Sequence, residues 1–414
     1  MLARKWALAV AAAASVAAAV PLLLAPLRGE AAEPLSKPVK IGVITDMSGS
    51  LSAQTGQGSV VAAQMAVDDC LTAECAGMQI EILSADHQNK PDLAVSIVRK
   101  WIDVDGVDAV TDIVQAAVQL AVQHVMAEKN RIALFPGGTA RLTNEDCAPA
   151  TSVQWMWDTY GQAVGVAKPL TQPGKKWFFI TADYAFGRSL ESDATGIIKR
   201  GGGEVVGAVH HPFNYPGDFS PYLLQAQASG ADVVAIGSTG SDLINILKQA
   251  REFKVESSKQ KLVSFVLTVP DIASLGLDAA QGVAVTEAFY WNLDPEARAW
   301  SQRFHQRYGK GMPSTIQAGV YSVTRHYLKA VAAARTTETA DVMRKIHELP
   351  VSDPTVRNGT LRPDGRMVHD AYLFRVKSPD ESKEPYDFYK LEATIKAQDA
   401  FRPLDESLCP AMRK

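Results

Sequence analysis

Short runs of near-continuous apolar residues alternate along this chain with longer stretches in which apolar positions recur every three or four residues. The first such pair sets the theme. Ile41, Val43 and Ile44 form a run expected of a strand covered on both faces. Val60, Ala63 and Val67 then follow at i, i+3 and i+7, the spacing of an amphipathic helix. Between them lie the polar turn Asp46-Met47-Ser48-Gly49-Ser50 and the pair Gly56 and Gly58. Strand, long Ser/Gly loop and helix make the first half of a βαβ unit.

The alternation continues. Met78 to Leu83, Val107 to Ile113 and Arg131 to Phe135 read as strands, with helices over Asp92 to Trp101 (Pro91 at its first turn) and Ala116 to Ala127. After the aromatic run Trp155 to Tyr160 a second series begins. Strands are expected at Trp177 to Thr181, Val205 to His210, Val233 to Ile236 and Leu262 to Leu267. Helices are expected at Gly187 to Arg200, Phe219 to Ser229 and Asp242 to Phe253. Val283 to Phe289 reads as a strand crossing back, and Pro295 to Tyr308 and Gln317 to Ala334 as long helices rejoining the first lobe. Asn-Gly and Asp-Gly between Asn358 and Arg366 signal a hairpin. The tail from Phe388 reads as strand-poor. The pattern predicts an α/β protein of two doubly wound parallel-sheet lobes joined by crossover strands. Residues 38–157 plus 287–349 form lobe 1, and 158–286 plus 350–414 form lobe 2 with a C-terminal extension.

Length agrees, since 414 residues exceed one ordinary core even without the first 31. Those first residues carry Arg4 and Lys5, the apolar run Trp6 to Leu24, and the small residues Gly29 and Ala31, the layout of a cleaved signal peptide. The alternative is an uncleaved anchor, because roughly twenty apolar residues can span a bilayer. Export to the periplasm is expected. Charge is nearly balanced, at 42 Lys+Arg against 45 Asp+Glu, with no basic run, which argues against nucleic acid. The four cysteines suit an oxidising compartment. They allow three pairings. A local Cys70–Cys75 bridge is geometrically possible, leaving Cys147–Cys409 to tie the C-terminus to the first lobe; reduced buried thiols are the alternative. No C-x-x-C or H-E-x-x-H occurs, so neither metal nor thiol-redox chemistry is indicated.

Catalysis finds no support. Ser238 in Ile236-Gly-Ser-Thr-Gly240 lacks the leading glycine of an esterase elbow. His210-His211 read as exposed turn residues and Asp68-Asp69 as a solvated helix face. Nucleotide binding fares no better: Gly56-x-Gly58 comes late, Val61 fills the third glycine position, and no Gly-Lys-Ser/Thr follows. A loop at a strand's carboxyl end leading into a helix suits a small uncharged or carboxylate-bearing ligand. Gly137-Gly138-Thr139 fits best, with bared backbone N–H groups and a hydroxyl for a carboxylate. Its alternative is a Gly-rich turn with a capping Thr.

Four segments in order carry a resemblance: DMSG with its downstream GQG, SADHQNKPDLA (84–94), LFPGGTARLT (134–143) and TADYAFGRSLESD (181–193). Over about Pro38 to the C-terminus the chain resembles the periplasmic leucine/isoleucine/valine-binding protein family, type I solute receptors of ABC importers. The resemblance implies a non-enzymatic receptor without cofactor. It would bind an apolar amino acid of the branched-chain type as a monomer and deliver it to ABC permease subunits in the inner membrane. An aromatic or short aliphatic carboxylate, or signalling to a membrane kinase, is the alternative. It also implies ligand contact at Thr139, at Tyr160 on the crossover, and at Asp271 for a ligand ammonium, with helix capping as the other reading of Asp271. Ser48, Gln115, Gly137, Gly138, Tyr184, Ser238 and Thr239 complete the expected lining. The chain departs from the family pattern at Gln115-Ala116, where a serine commonly donates to the ligand carboxylate. Trp155, Trp157, Tyr290 and Trp291 are expected to pack at the crossovers.

Overall fold

A computed structural model describes residues 35, 37–253 and 260–413; the expected signal peptide lies outside the described residues. The first series runs β1 (Val39–Thr45), α1 (Gly56–Leu71), β2 (Ile80–Asp86), α2 (Pro91–Lys100), β3 (Ala109–Thr111), α3 (Ala116–Glu128), β4 (Ile132–Phe135) and β5 (Ser152–Gln154). These strands form a parallel sheet in the order β2-β1-β3-β4-β5. β1, β3 and β4 are buried on both faces apart from Lys40, so their residues read as continuous apolar runs rather than alternating ones.

The second series runs α4 (Thr159–Leu170), β6 (Lys176–Ala182), α5 (Ala185–Arg200), β7 (Glu204–His211), α6 (Ser220–Ala228), β8 (Val233–Gly237), α7 (Gly240–Glu252), β9 (Lys261–Ser264), α8 (Val269–Leu275), α9 (Leu277–Ala280) and β10 (Ala284–Glu287). The chain then passes through α10 (Pro295–Tyr308), α11 (Thr315–Ala334) and α12 (Thr339–Glu348) to β11 (Val351–Asp353), β12 (Val356–Leu361), β13 (Met367–Val368), β14 (Ala371–Val376) and β15 (Tyr389–Ile395). The second sheet has the order β15-β14-β10-β9-β8-β6-β7, parallel in its interior with antiparallel β14 and β15 at one edge. α10 and α11 return to pack on α1. There Asp69 pairs with Arg303 (2.5 Å) and Tyr321 (2.8 Å), and Asp68 with Arg307. These acids anchor helices instead of forming a solvated face.

Three segments link the two large sheets and the elements packed on them: 155–158 between β5 and α4, 288–294 between β10 and α10, and 369–370 between β13 and β14. The first and third lie side by side. His369 Nε2 bonds the Met156 carbonyl (2.7 Å), and Arg366 stands 3.3 Å from Asp158 and donates to the Trp157 carbonyl (3.2 Å). Trp155 donates to Ser322 (2.8 Å), and Tyr290 and Trp291 both donate to the Tyr386 carbonyl, so the crossover aromatics largely pack. Cys70 is joined to Cys75 and Cys147 to Cys409.

Several expectations are corrected. The tail contains β15, an exposed edge strand created by its ladder with β14 rather than by an apolar run of its own. α4 follows the aromatic run, capped by Asp158, whose carboxylate accepts from Gly161 N (2.7 Å). β2 starts later than expected and extends to Asp86, because its pairing with β1 continues to Thr45↔Asp86. β9 stops at Ser264. His211 is fully buried rather than an exposed turn residue, its Nε2 on the Ser238 hydroxyl (2.8 Å), and His210 is bonded to Glu191 (2.9 Å).

Candidate functional site

In a doubly wound sheet the loops after the strands converge at the carboxyl edge. Here two such edges face each other. Lobe 1 presents the loops after β1, β3 and β4, and lobe 2 those after β6, β7, β8 and β9. Among the described residues they touch at several places. Gln54 Nε2 donates to both carboxylate oxygens of Asp271 (2.9 Å each) and to Thr239 Oγ1 (3.2 Å). The Thr139 hydroxyl meets that of Ser189 at 3.0 Å. Gly240, with φ 62°, lies so close to the Ser50 carbonyl that a Cβ would stand 2.4 Å from the oxygen. The lobes are closed on each other.

The loop after β4 is held from behind by Gln119. Its amide donates to the carbonyls of Ile113 (2.7 Å) and Gly137 (2.5 Å), while its oxygen accepts from Thr139 N (3.3 Å). Gly137 lets the Trp157 indole lie against the backbone, since a Cβ would meet the ring at 2.4 Å. Gly138 continues the loop, and Thr139, fully buried, caps the following turn through Arg141 N (3.4 Å). Thr139 is thus both a cap and a point where the lobes meet.

An aromatic row runs from the first crossover into lobe 2. Trp157 meets Phe186 edge-on with centroids 6.0 Å apart, Phe186 lies 5.9 Å from Tyr184, and Tyr184 lies 4.4 Å from Phe213. Trp157 Nε1 is buried with no hydrogen-bond partner among the described residues, a donor left facing the interior. Burial, and then the charge of Asp242, push the Tyr184 hydroxyl pKa up, keeping it a neutral phenol.

The remaining expected residues divide. Asp271 sits in the first turn of α8 as the acid of a capping box, accepting from Thr268 N (2.8 Å) and Thr268 Oγ1 (2.7 Å) as well as from Gln54. Burial raises its pKa while the Thr268 and Gln54 bonds oppose the rise. Thr239 is at the N-cap of α7 and faces Gln54. Gln115 caps α3 by accepting from Val118 N (2.8 Å) and is buried behind the loop after β3. Ser238 is committed to His211 below the surface of the cleft. Ser48 is exposed and donates to Asp86 (2.5 Å), away from the lobe contacts. Tyr160 points elsewhere: its ring stacks on Arg402 at 4.4 Å and its hydroxyl accepts from Arg200 (3.4 Å). Helical phase decides this, because the adjacent Thr159 faces the cleft, accepting from Ala140 N (3.0 Å) and donating to Asp193 (2.7 Å).

Sequence reasoning missed Gln54, Ser189, Gly240, Phe186 and Phe213. Gln54 lies in the long loop after β1, and Phe186 stands two residues after Tyr184 at a helix start, so position after a strand was an available signal for both. Nothing local distinguishes Ser189 or Phe213.

Residues 38–383 match the family model described as periplasmic binding protein. The chain is 27% identical to Leu/Ile/Val-binding protein homolog 4 of Brucella abortus, over 80% of this chain and 82% of that one. Among solved structures, a periplasmic binding protein from Burkholderia mallei is 42% identical with a TM-score of 0.86, over 91% of this chain and 99% of that one. A branched chain amino acid ABC transporter periplasmic ligand-binding protein from Burkholderia xenovorans LB400 is 38% identical with a TM-score of 0.80, over 91% and 100%. Two parallel-sheet lobes that close on each other through their strand-end loops, over the span of that match, place this chain in the periplasmic binding protein family, as an ABC-type solute-binding protein of the type I fold.

Proposed function

We propose that the chain binds one small apolar carboxylate between its lobes and, as a monomer exported with residues 1–31 removed, delivers it to ABC permease subunits in the inner membrane. The observation that carries this is the pairing of lobe 1 with lobe 2 through Thr139–Ser189 and Gln54–Asp271, beside the aromatic row. Closure of this kind sequesters a solute from water. The names of the relatives support a branched-chain amino acid. Such a ligand would use Asp271 for its ammonium and displace the Gln54 amide.

A second reading has its own support. Asp271 already holds three donor groups, and Trp157, Phe186 and Tyr184 offer flat apolar surface, which favours an aromatic carboxylate without an ammonium. Mass spectrometry of the co-purified solute, then calorimetry with it, separates the two. Thr139→Ala should weaken any carboxylate by about ten- to a hundred-fold, the value of a hydrogen bond to a charged group. Asp271→Asn should cost an amino acid about 3–5 kcal/mol, as when one side of a buried ion pair is removed. It should leave a plain carboxylate unchanged or tighter. Unaltered binding in Thr139→Ala would place the carboxylate site in another loop.

A further inference from the structure

Tyr160, turned away from the cleft, forms part of a different enclosure. A cavity of about 300 Å³ opens between α4, α5 and the C-terminal segment around Phe401. For scale, an apolar cavity of about 150 Å³ holds benzene. Its floor is apolar and buried: Tyr160, Val164, Ile197 and Phe401 are each 4–7% exposed. The Tyr160 ring is pinned, because Arg402 stacks on it at 4.4 Å and is itself held by Asp193 at 2.7 Å. The C-terminal wall is fixed as well, through the Cys147–Cys409 bridge, the bond from Leu408 N to Asn144 Oδ1 (2.6 Å) and the bond from Arg362 to the Arg402 carbonyl (2.7 Å).

The mouth is cationic. Arg200 forms no ion pair among the described residues; its guanidinium donates to the Tyr160 hydroxyl at 3.4 Å, where the unpaired Glu406 carboxylate offsets part of its charge. Lys168, also at the rim, stands a loose 3.9 Å from Asp399, the one acid among the described residues lining the cavity. A buried apolar floor with surplus positive charge at its entrance complements a molecule with an apolar body and one carboxylate. Guanidinium groups bind carboxylates by paired, charge-assisted hydrogen bonds.

We propose that this cavity is a second binding site, separate from the cleft, for a small apolar or aromatic monocarboxylate, with Arg200 holding the carboxylate and Tyr160, Val164 and Ile197 the body. The site also abuts the closing machinery. Tyr160 adjoins Thr159, which Asp193 links to the Arg402 that stacks on Tyr160. Occupancy therefore stiffens the start of α4, the first element after the 155–158 crossover.

The test is calorimetric titration of the mature protein with phenylacetate, comparing wild type with Arg200→Glu, Val164→Trp and Thr139→Ala. Arg200 is exposed, so its reversal leaves the fold intact even if the filled-cavity variant does not fold. The expected result is a binding event that Arg200→Glu weakens about ten-fold or more, that Val164→Trp abolishes and that Thr139→Ala leaves unchanged, distinct from any binding in the cleft, which Thr139→Ala alone weakens. Loss in Thr139→Ala with full retention in Arg200→Glu would assign the probe to the cleft and overturn the proposal. So would the absence of binding up to about 10 mM, a concentration at which even contacts worth only about 4 kcal/mol register.

Discussion

At the scale of single residues, the most unusual group is Asp112. It follows β3 in a left-handed conformation (φ 60°), is fully buried, and neither carboxylate oxygen reaches full hydrogen-bond geometry with a partner among the described residues. Burial, reinforced by the charge of Asp46 and opposed by the nearby Thr45 and Ser59 hydroxyls, pushes its pKa up to about 8. The folded state therefore binds this proton more tightly than the unfolded chain. Its contribution to stability is complete below the ordinary aspartate range and is lost as pH rises through about 8. His87, His211 and His326 act in the opposite sense, as does His369, which burial lowers to about 4. Each stabilises above 6.5 and loses that contribution as pH falls. Between about pH 7.5, a unit above the free histidine value, and about pH 8 the unfolded histidines are almost wholly deprotonated, so the buried carboxyls dominate the slope. Asp112→Asn should flatten the decline of denaturant midpoint over that interval. It should not abolish it, because burial also raises the Glu287 carboxyl well above its ordinary range. An unchanged slope would remove Asp112 from the account.

At the scale of elements, the start of α11 governs the long loop after β1. Ser314 and Gln317 form a capping box, and both also grip that loop: the Ser314 hydroxyl donates to the Gln54 carbonyl (2.6 Å) and Gln317 Nε2 to the Thr55 carbonyl (3.1 Å). Helix cap and cleft residue are thus one hydrogen-bonded unit. Ser314→Ala should cost about 1–2 kcal/mol of stability as a lost cap, read as a denaturant midpoint. It should also lower affinity for a solute without an ammonium, read by calorimetry, because the Gln54–Asp271 contact that closes the lobes over such a solute is no longer held. A stability loss with unaltered affinity would show that the loop positions Gln54 unaided. The Ser-x-x-Gln signature stands in the sequence, yet the periodicity placed the helix start at Gln317, because residues 314–316 lie before the regular apolar spacing begins. α4 was missed for a related reason: Pro169 and two glycines interrupt a helix that is buried almost all round and so lacks a polar stripe.

At the scale of the whole molecule, Cys147–Cys409 closes a loop of 262 residues and ties the C-terminal segment to lobe 1. Cross-linking so long a loop removes disorder from the unfolded chain. Cys147→Ser with Cys409→Ser should therefore lower stability by about 2–4 kcal/mol, measured by denaturant unfolding under oxidising conditions. Cys70→Ser with Cys75→Ser, whose separation is five residues, should cost less. Equal losses would mean that local packing around the sulfurs outweighs chain entropy.

The amino-acid sequence by itself determined most of the succession of strands and helices, because burial of a strand on both faces leaves a continuous apolar run and a covered helix leaves a 3.6-residue stripe. Both are local signals. It determined also that the strand-end loops would be polar and glycine-rich, and that four cysteines could bridge. Only the tertiary structure decided which loop residues meet. Gln54 and Asp271 stand 217 positions apart, and Gln54 and Thr239 stand 185 apart. No periodicity records a contact that arises only when two independently folded edges close. The same holds for β15, made a strand by the partner beside it, and for Tyr160, turned from the cleft by a single step of helical phase while Thr159 took its place.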